Sequence, residues 1–438
     1  MFPTVKRRTF LAAAGASGVA RASGDSPALL GGTPVRRRPF PSWPRIGATD
    51  ESNCMEALRA CKWWRREGHW VRDFEKAWGE KLGARYVVAT ANGTGALMAA
   101  MSALEIGPKD EVLVTPYTFI ATINAILAHY ALPVFVDTDR ATHMIDAAKI
   151  EAAITRRTRA IMPVHLGGNM ADMDKILEIS RRRGIPVIED ACQAHLSAWR
   201  GRAAGTLGEL GCFSFQKFKN LPGGEAGAVV TNDEKLYLHA YGFHSHYRTP
   251  GENAPDLNVC RNGINLRMAE FQAALLLAQM ERLEENARRR EENAALLDRL
   301  LGEIGGIKPV QQYPGCTRNG YHLYMMRYEP EAFAGLPRSR FLEAVRAEGI
   351  PLAEGYGPLN RHPFLEHTAR SRMFRAIYTE RELADWRERN RHLPANDQVT
   401  QEALWFSQNV LLGERSDMED IAAAIAKVRR HAEKLRPS

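Results

Sequence analysis

Two lysines, Lys217 and Lys219, stand just after an aromatic and small run, Cys212-Phe213-Ser214-Phe215, whose composition predicts a buried strand. The turn Pro222-Gly223-Gly224 and a second apolar strand over residues 226–230 follow. A lysine set in apolar surroundings loses the hydration of its ammonium, so its pKa falls and the free amine becomes available as a nucleophile. The chemistry that uses such an amine is Schiff-base formation, most often with pyridoxal phosphate (PLP). Two lysines capping a strand at the surface would have the same local sequence. The choice depends on what the rest of the chain brings.

It brings three further candidates. Asn92-Gly93-Thr94-Gly95 lies between a short apolar strand, residues 86–90, and a helical run over residues 96–104. A strand, a glycine-rich turn and a helix start present free backbone N–H groups and the positive end of the helix dipole, where a phosphate can sit. Glu189 and Asp190 end an apolar strand, residues 185–190. The carboxyl end of a buried strand is where α/β sheets place ligands, although Asp190 would also serve as a helix N-cap. Phe119 closes the run Thr115-Pro116-Tyr117-Thr118-Phe119 after the strand at residues 111–114. Metal chemistry finds no support: His244 and His246 are two apart and share no helix face, and the six cysteines show no CxxC. Most of those cysteines are expected as small core residues.

The elements that must hold these groups alternate. Strands at 132–137 and 160–165 alternate with helices at 147–154 and 172–183, so six or more strands and their helices predict an α/β fold with a mostly parallel sheet covered on both faces. Residues 51–82 have helical apolar spacing with no inner proline, and their Trp63, Trp64 and Trp70 are read as packing residues. A long helix is expected from Met268 to about Leu301, leading into a smaller α+β unit that closes with a helix over 417–435. The divisions expected are residues 1–22, an extended segment 23–50, a large domain 51–300 and a small C-terminal domain 301–438. His165 is read as structural.

The N-terminus carries a separate signal. Lys6-Arg7-Arg8-Thr9-Phe10-Leu11, a weakly apolar run and Ala20-Arg21-Ala22 read as a twin-arginine export leader with an A-x-A-like cleavage site. The expected location is periplasmic or extracytoplasmic, and cytoplasmic without that export. Removing the leader takes away Lys6, Arg7, Arg8 and Arg21, so the net charge falls from +8 to +4. A modest, scattered positive balance suits small anions and gives no nucleic-acid stripe. No later apolar run is long enough to span a membrane.

The run FSFQKFKNLPGGEAGAVVTND resembles the lysine segment of the DegT/StrS-type sugar aminotransferases. In that family a serine lies five positions before the PLP lysine. Ser214 precedes Lys219 by five, so the resemblance selects Lys219 and not Lys217. Ala226 departs from the family's usual glycine. Four more motifs recur in family order: Gly93 and Thr94 in the phosphate turn, Phe119 as the aromatic stacked on the cofactor ring, Asp190 paired with the pyridinium nitrogen and Gln193 with the ring's phenolic oxygen, and Asn265 in Gly263-Ile-Asn-Leu-Arg-Met268. In relatives that asparagine reaches the phosphate of the partner subunit's cofactor, which implies a homodimer with shared active sites. Tyr356-Gly357-Pro358-Leu359 resembles the segment beside the substrate mouth.

The resemblance covers nearly everything after the leader. It implies a PLP-dependent transferase of fold type I that moves an amino group from L-glutamate or L-glutamine to a keto-sugar, often nucleotide-linked, or a keto-cyclitol. The Phe-Gln-x-x-Lys form and the tail Gln408-Asn-Val-Leu-Leu412 lean to the cyclitol branch. Two rivals stand beside it. A sugar dehydratase of the same fold would carry histidine in place of Lys219. An exported protein that binds a sugar without turnover would tolerate the Ala226 departure and account for the leader.

Overall fold

The computed structural model describes residues 25–248, 250 and 262–437. The leader, and with it the export reading, lies outside them, as does Cys260.

Seven strands form the central sheet: β1 (Tyr86–Thr90), β2 (Glu111–Val114), β3 (Leu132–Phe135), β4 (Thr158–Met162), β5 (Ile188–Asp190), β6 (Leu210–Ser214) and β7 (Gly227–Thr231). Their order is β1-β7-β6-β5-β4-β2-β3, the step from β4 to β5 being made by the parallel bridges Ile161–Val187 and Val164–Asp190. Only β7 runs against the others, pairing antiparallel with both β1 and β6. Nearly every residue of these strands is buried, because helices cover both faces and leave no solvated side to alternate toward. The mostly parallel sheet expected from the βα rhythm is therefore present.

Two long helical expectations break. The run 51–82 forms Ala48–Arg59 and Trp70–Leu82, separated by an irregular stretch. The second helix turns its apolar stripe, including Phe74 and Trp78, into the core, whereas Trp63 and Trp64 on the break are 49% and 38% exposed. The run from Met268 likewise divides into Glu270–Met280 and Leu283–Ile304. The halves of the first run both pack against the helix Glu270–Met280, the second of them also against β1; in the second run Leu283–Ile304 packs instead against Arg415–Arg430. Only Cys212 among the described cysteines is fully buried; Cys61 is exposed.

A second sheet, all antiparallel, is built from Ile307–Pro309, Leu323–Tyr328, Ala403–Ser407 and Ala353–Glu354 in that spatial order. It shares a hydrophobic core with the helices Leu283–Ile304, Arg338–Ala347 and Arg415–Arg430, distinct from the core of the large sheet. The intervening residues 359–399 pack instead on the large core. There Trp386 Nε1 and Asn390 Nδ2 donate to the Pro133 carbonyl at 2.6 and 3.1 Å, and Asn390 Oδ1 accepts from Phe135 N at 2.8 Å, covering the sheet's edge at β3. Among the described residues no helix is long and apolar enough to cross a membrane.

Candidate active site

The carboxyl ends of β4, β5 and β6 and the start of the helix Gly93–Ala103 open on one cleft of about 570 Å³. Gly93, Thr94, Phe119, Asp190, Gln193, Ser214 and Lys219 all line it. Asn265 does not. It is exposed, bridged to Ser245, and accepts a 3.3 Å hydrogen bond from Arg267 N.

Each residue is placed by a local reason. Asn92 caps the helix Gly93–Ala103, its Oδ1 accepting from Gly95 N at 2.8 Å, so the remaining first-turn N–H groups point at the cleft without intrahelical acceptors. Gly93 is required by packing: a Cβ there would lie 2.6 Å from Ser214 Cβ and 3.0 Å from Cys192 Sγ. The helix start thus sits directly on β6, and a helix N-terminus in that place can hold an anion.

Lys219 follows the turn after β6, its N–H donating to the Gln216 carbonyl at 2.8 Å. Burial pushes its ammonium pKa down, while the neighbouring Cys192 and Asp190 oppose that shift. Lys217, two residues earlier, is exposed, its Nζ 4.8 Å from the Phe218 ring. The two lysines that the strand-and-turn pattern left equivalent are therefore on different sides of the chain. Ala226 is fully buried and its carbonyl accepts from Phe215 N at 2.7 Å, so the methyl is accommodated within the pairing.

Asp190, at the end of β5, is 4% exposed. Its Oδ2 accepts from Thr122 Oγ1 at 2.8 Å and its Oδ1 from Cys192 N at 3.2 Å. Gln193 is oriented by the Gly167 N–H, 2.9 Å from its Oε1, and gives its Nε2 to the Tyr356 hydroxyl at 3.3 Å. Phe119 precedes the helix Ile120–Ala128 and is 52% exposed over the cleft, its ring 6.3 Å from that of Tyr356. An aromatic face left open in this way can cover a flat ligand. His165 is structural as expected: it is fully buried, 2.9 Å from the Glu189 carboxylate.

The sequence reading missed several lining residues. Thr122 carried no motif signal; it lies in the first turn of the helix Ile120–Ala128 and bonds at 2.9 Å to Thr118, which precedes the N-cap Phe119. His322 immediately precedes the strand Leu323–Tyr328 and carries no motif signal. It lines the cleft, and burial first, then the charge of Lys219, holds its pKa well below the ordinary histidine value.

The donor set fits PLP. An anion cradle, a buried amine with lowered pKa, a carboxylate at a strand end and an open aromatic face converge on one space. No cluster of side chains able to hold a metal occurs among the described residues.

Comparison with known proteins agrees. The model of the DegT/DnrJ/EryC1/StrS aminotransferase family matches residues 44–411. The chain belongs to that family. This aminotransferase is 36% identical over 426 residues to the L-glutamine:2-deoxy-scyllo-inosose aminotransferase of Streptoalloteichus tenebrarius, covering 93% of this chain and 99% of the relative. A second protein of that organism, provisionally an L-glutamine:3-amino-2,3-dideoxy-scyllo-inosose aminotransferase, is 39% identical over 419 residues with the same coverage. Among solved structures, 3-amino-5-hydroxybenzoic acid synthase superposes with a TM-score of 0.77 at 32% identity, covering 89% of this chain and 98% of its own. The enzyme is a PLP-dependent aminotransferase with the α/β architecture of fold type I.

Proposed function

We propose that this aminotransferase moves the amino group of L-glutamine, or of L-glutamate, to the ketone of a cyclitol, with PLP attached at Lys219. The observation that carries the reading is the convergence of Lys219, Asp190, Phe119 and the Gly93 helix start on one cleft. The named relatives that act on scyllo-inososes supply the acceptor class.

Bound PLP supplies an electron sink for the negative charge that develops at the donor's α-carbon. Gly93 and Thr94 present N–H groups for its phosphate, and Phe119 covers one ring face and excludes water there. Asp190, fixed by Thr122 and the Cys192 N–H, is placed to pair with a protonated ring nitrogen. Gln193, anchored by Gly167, offers its amide to the phenolic oxygen. The Lys219 amine, its ammonium disfavoured by burial, is the nucleophile. Once free it is the base that takes a proton from the donor's α-carbon and delivers it on.

Asn265 belongs to the same reading as a residue that serves the partner's cleft. Exposed apolar side chains lie on and beside the packed helices Ala48–Arg59 and Glu270–Met280, namely Met55, Leu58, Trp63 and Phe271, and Ile264 adjoins Asn265 in the chain. A second copy of the chain would bury them, so a homodimer is part of the proposal. The twin-arginine leader and export, and the division into residues 51–300 and 301–438, complete it; the second core favours a small C-terminal unit, with residues 359–399 reaching back onto the large core. N-terminal sequencing of the protein recovered from the periplasm tests export, and uncleaved protein confined to the cytoplasm would overturn it.

The function is tested by loading the enzyme with PLP, adding L-glutamine or L-glutamate, and following the visible cofactor band. The excess donor is then removed, and 2-deoxy-scyllo-inosose or a nucleotide-linked keto-sugar is offered. Loss of the band with donor and its return with the cyclitol, with an aminocyclitol found by mass spectrometry, is the expected result. Return only with the nucleotide-linked sugar would move the acceptor to that class. No response to any donor would favour the non-catalytic binding protein. The dehydratase reading has nothing in its favour here, since a lysine and not a histidine stands at position 219.

A further inference from the structure

The segment before the large sheet is held along the second core by buried charges. Glu348, fully buried, accepts from Ala28 N at 2.7 Å, Val35 N at 2.9 Å and Lys427 Nζ at 2.9 Å. Lys427 also donates to the Thr33 carbonyl at 2.6 Å, and the Arg36 guanidinium reaches Asp417 and Asp420 at 2.7 Å each. The strap lies directly on Gly349 (φ +89°), where a Cβ would be 2.1 Å from the Arg36 carbonyl oxygen.

These contacts set the course of the chain as far as Trp43. Its indole Nε1 donates to the backbone carbonyl of Lys219 at 3.1 Å. Arg290 lies against the same indole, its guanidinium carbon 5.5 Å from the ring centroid. Arg290 is fully buried and pairs with no carboxylate among the described residues; Nε donates to Gln408 Oε1 at 3.0 Å, and Nη1 has no partner there. Gln408 N in turn donates to the His322 carbonyl at 3.0 Å, and His322 lines the cleft.

A buried guanidinium without a carboxylate is costly to keep, and stacking on an indole recovers only part of that cost. A plain apolar side chain would fill the space more cheaply. What Arg290 has in this position is contact with both routes into the site: Trp43 leads to Lys219, and Gln408 leads to His322.

We propose that Trp43 is a positioning residue for Lys219, clamped from behind by Arg290, so that the docked strap at residues 25–47 is part of the catalytic apparatus. The proposal rests on the reading of Lys219 as the nucleophile. The indole N–H fixes the carbonyl of the lysine's own residue, and the Lys219 N–H is fixed by the Gln216 carbonyl. Both peptide planes flanking the Lys219 α-carbon are therefore restrained, and the side chain is aimed before substrate arrives.

The test uses the full chain loaded with PLP. Trp43→Phe keeps an aromatic ring over Arg290 and removes the N–H donor together with the indole's second ring. Asp190, Cys192, His195 and His322, the titratable groups around Lys219, are untouched by it. Expected are a fall in kcat of roughly three- to tenfold, the worth of one ordinary hydrogen bond, a KM for L-glutamine within about twofold, and a displaced pH midpoint of the visible cofactor band. Arg290→Met, which removes the buried charge, is expected to reproduce the kcat and band changes without lowering Tm. A Trp43→Phe enzyme with wild-type kcat and midpoint overturns the proposal, whatever its Tm. Should that variant not fold, Arg290→Met decides by the same readouts. Lys219→Ala separates the two readings. If it keeps the visible band, the nucleophile assignment itself has failed; if it loses the band while Trp43→Phe behaves as wild type, only the positioning role has failed.

Discussion

Thr122 Oγ1 donates a 2.8 Å hydrogen bond to Asp190 Oδ2, linking the helix that begins after Phe119 to the end of β5. Phe119 and Asp190, proposed for the face and the edge of the cofactor ring, are therefore set by one helix start. Asp190→Asn, which keeps the shape and loses the charge, is expected to lower kcat/KM roughly a hundredfold or more. Thr122→Val is expected to be milder, about 1 kcal/mol or roughly fivefold. Steady-state kinetics with L-glutamine measures both, and equal losses in the two variants would show that orientation and not charge is what matters.

The two lysines make a clean pair. Lys219→Ala is expected to abolish the visible cofactor band and to reduce turnover by about 10² to 10⁴, while Lys217→Ala, at an exposed position, keeps both. Spectra of the two loaded variants are sufficient. The assignment is wrong if Lys217→Ala is the one that loses the band.

Gly93→Ala should act on cofactor affinity before it acts on chemistry. The new methyl has no room against Ser214 and Cys192, so the helix start must retreat from β6 and carry the phosphate cradle with it. A fluorescence titration with PLP is expected to show an affinity at least about tenfold weaker, a cost of about 1.4 kcal/mol. An unchanged affinity would place the phosphate elsewhere.

Acidification should unfold the protein earlier than its carboxylates alone would require. Burial holds His143, His195 and His244 down to about 3 in the folded state. Their unfolded pKa is about 6.5. With the folded pKa depressed, the unfolded chain binds protons that the folded chain refuses, so stability is full above about 6.5 and falls as pH drops toward about 3. Each such histidine adds a slope of about 1 kcal/mol per pH unit near pH 5.5. Urea unfolding at pH 7.5, 6.5 and 5.5 measures the total slope. His143→Gln should reduce it by one histidine's share, and an identical slope would mean His143 titrates normally.

The strap should be a stability element as well. Glu348→Ala leaves the buried Lys427 ammonium without its carboxylate and two strap N–H groups without their acceptor. A loss of about 3–5 kcal/mol is expected, read as a lowered denaturation midpoint together with earlier proteolytic cutting within residues 25–47. A midpoint within experimental error of wild type would show that the strap is not held there.

Much of the site was legible in order along the chain. Gly93, Phe119, Asp190, Gln193 and Lys219 each sit next to a strand end, and a strand end announces itself through a short apolar run and a turn. The parallel sheet followed from the same alternation. What did not announce itself was anything made by meeting across the fold. The break between Ala48–Arg59 and Trp70–Leu82 is invisible to periodicity, because no inner proline marks it and the first half buries little more than Ala57 while the second buries a full stripe.

The sequence by itself pointed to the chemistry, because its lysine, carboxylate, glycine turn and aromatic stand in an order that resembles the DegT/StrS-type family's. Only the tertiary structure set Lys217 and Lys219 apart on physical grounds, by turning one into the cleft and leaving the other exposed. It alone brought Trp43 and Lys219, 176 positions apart, to 3.1 Å, and set Arg290 behind them. The reason is physical. Local residue patterns fix hydrogen bonding and turn geometry within a few residues, whereas burial, and with it the pKa of an amine or the cost of a lone guanidinium, exists only once distant segments have closed over the same space.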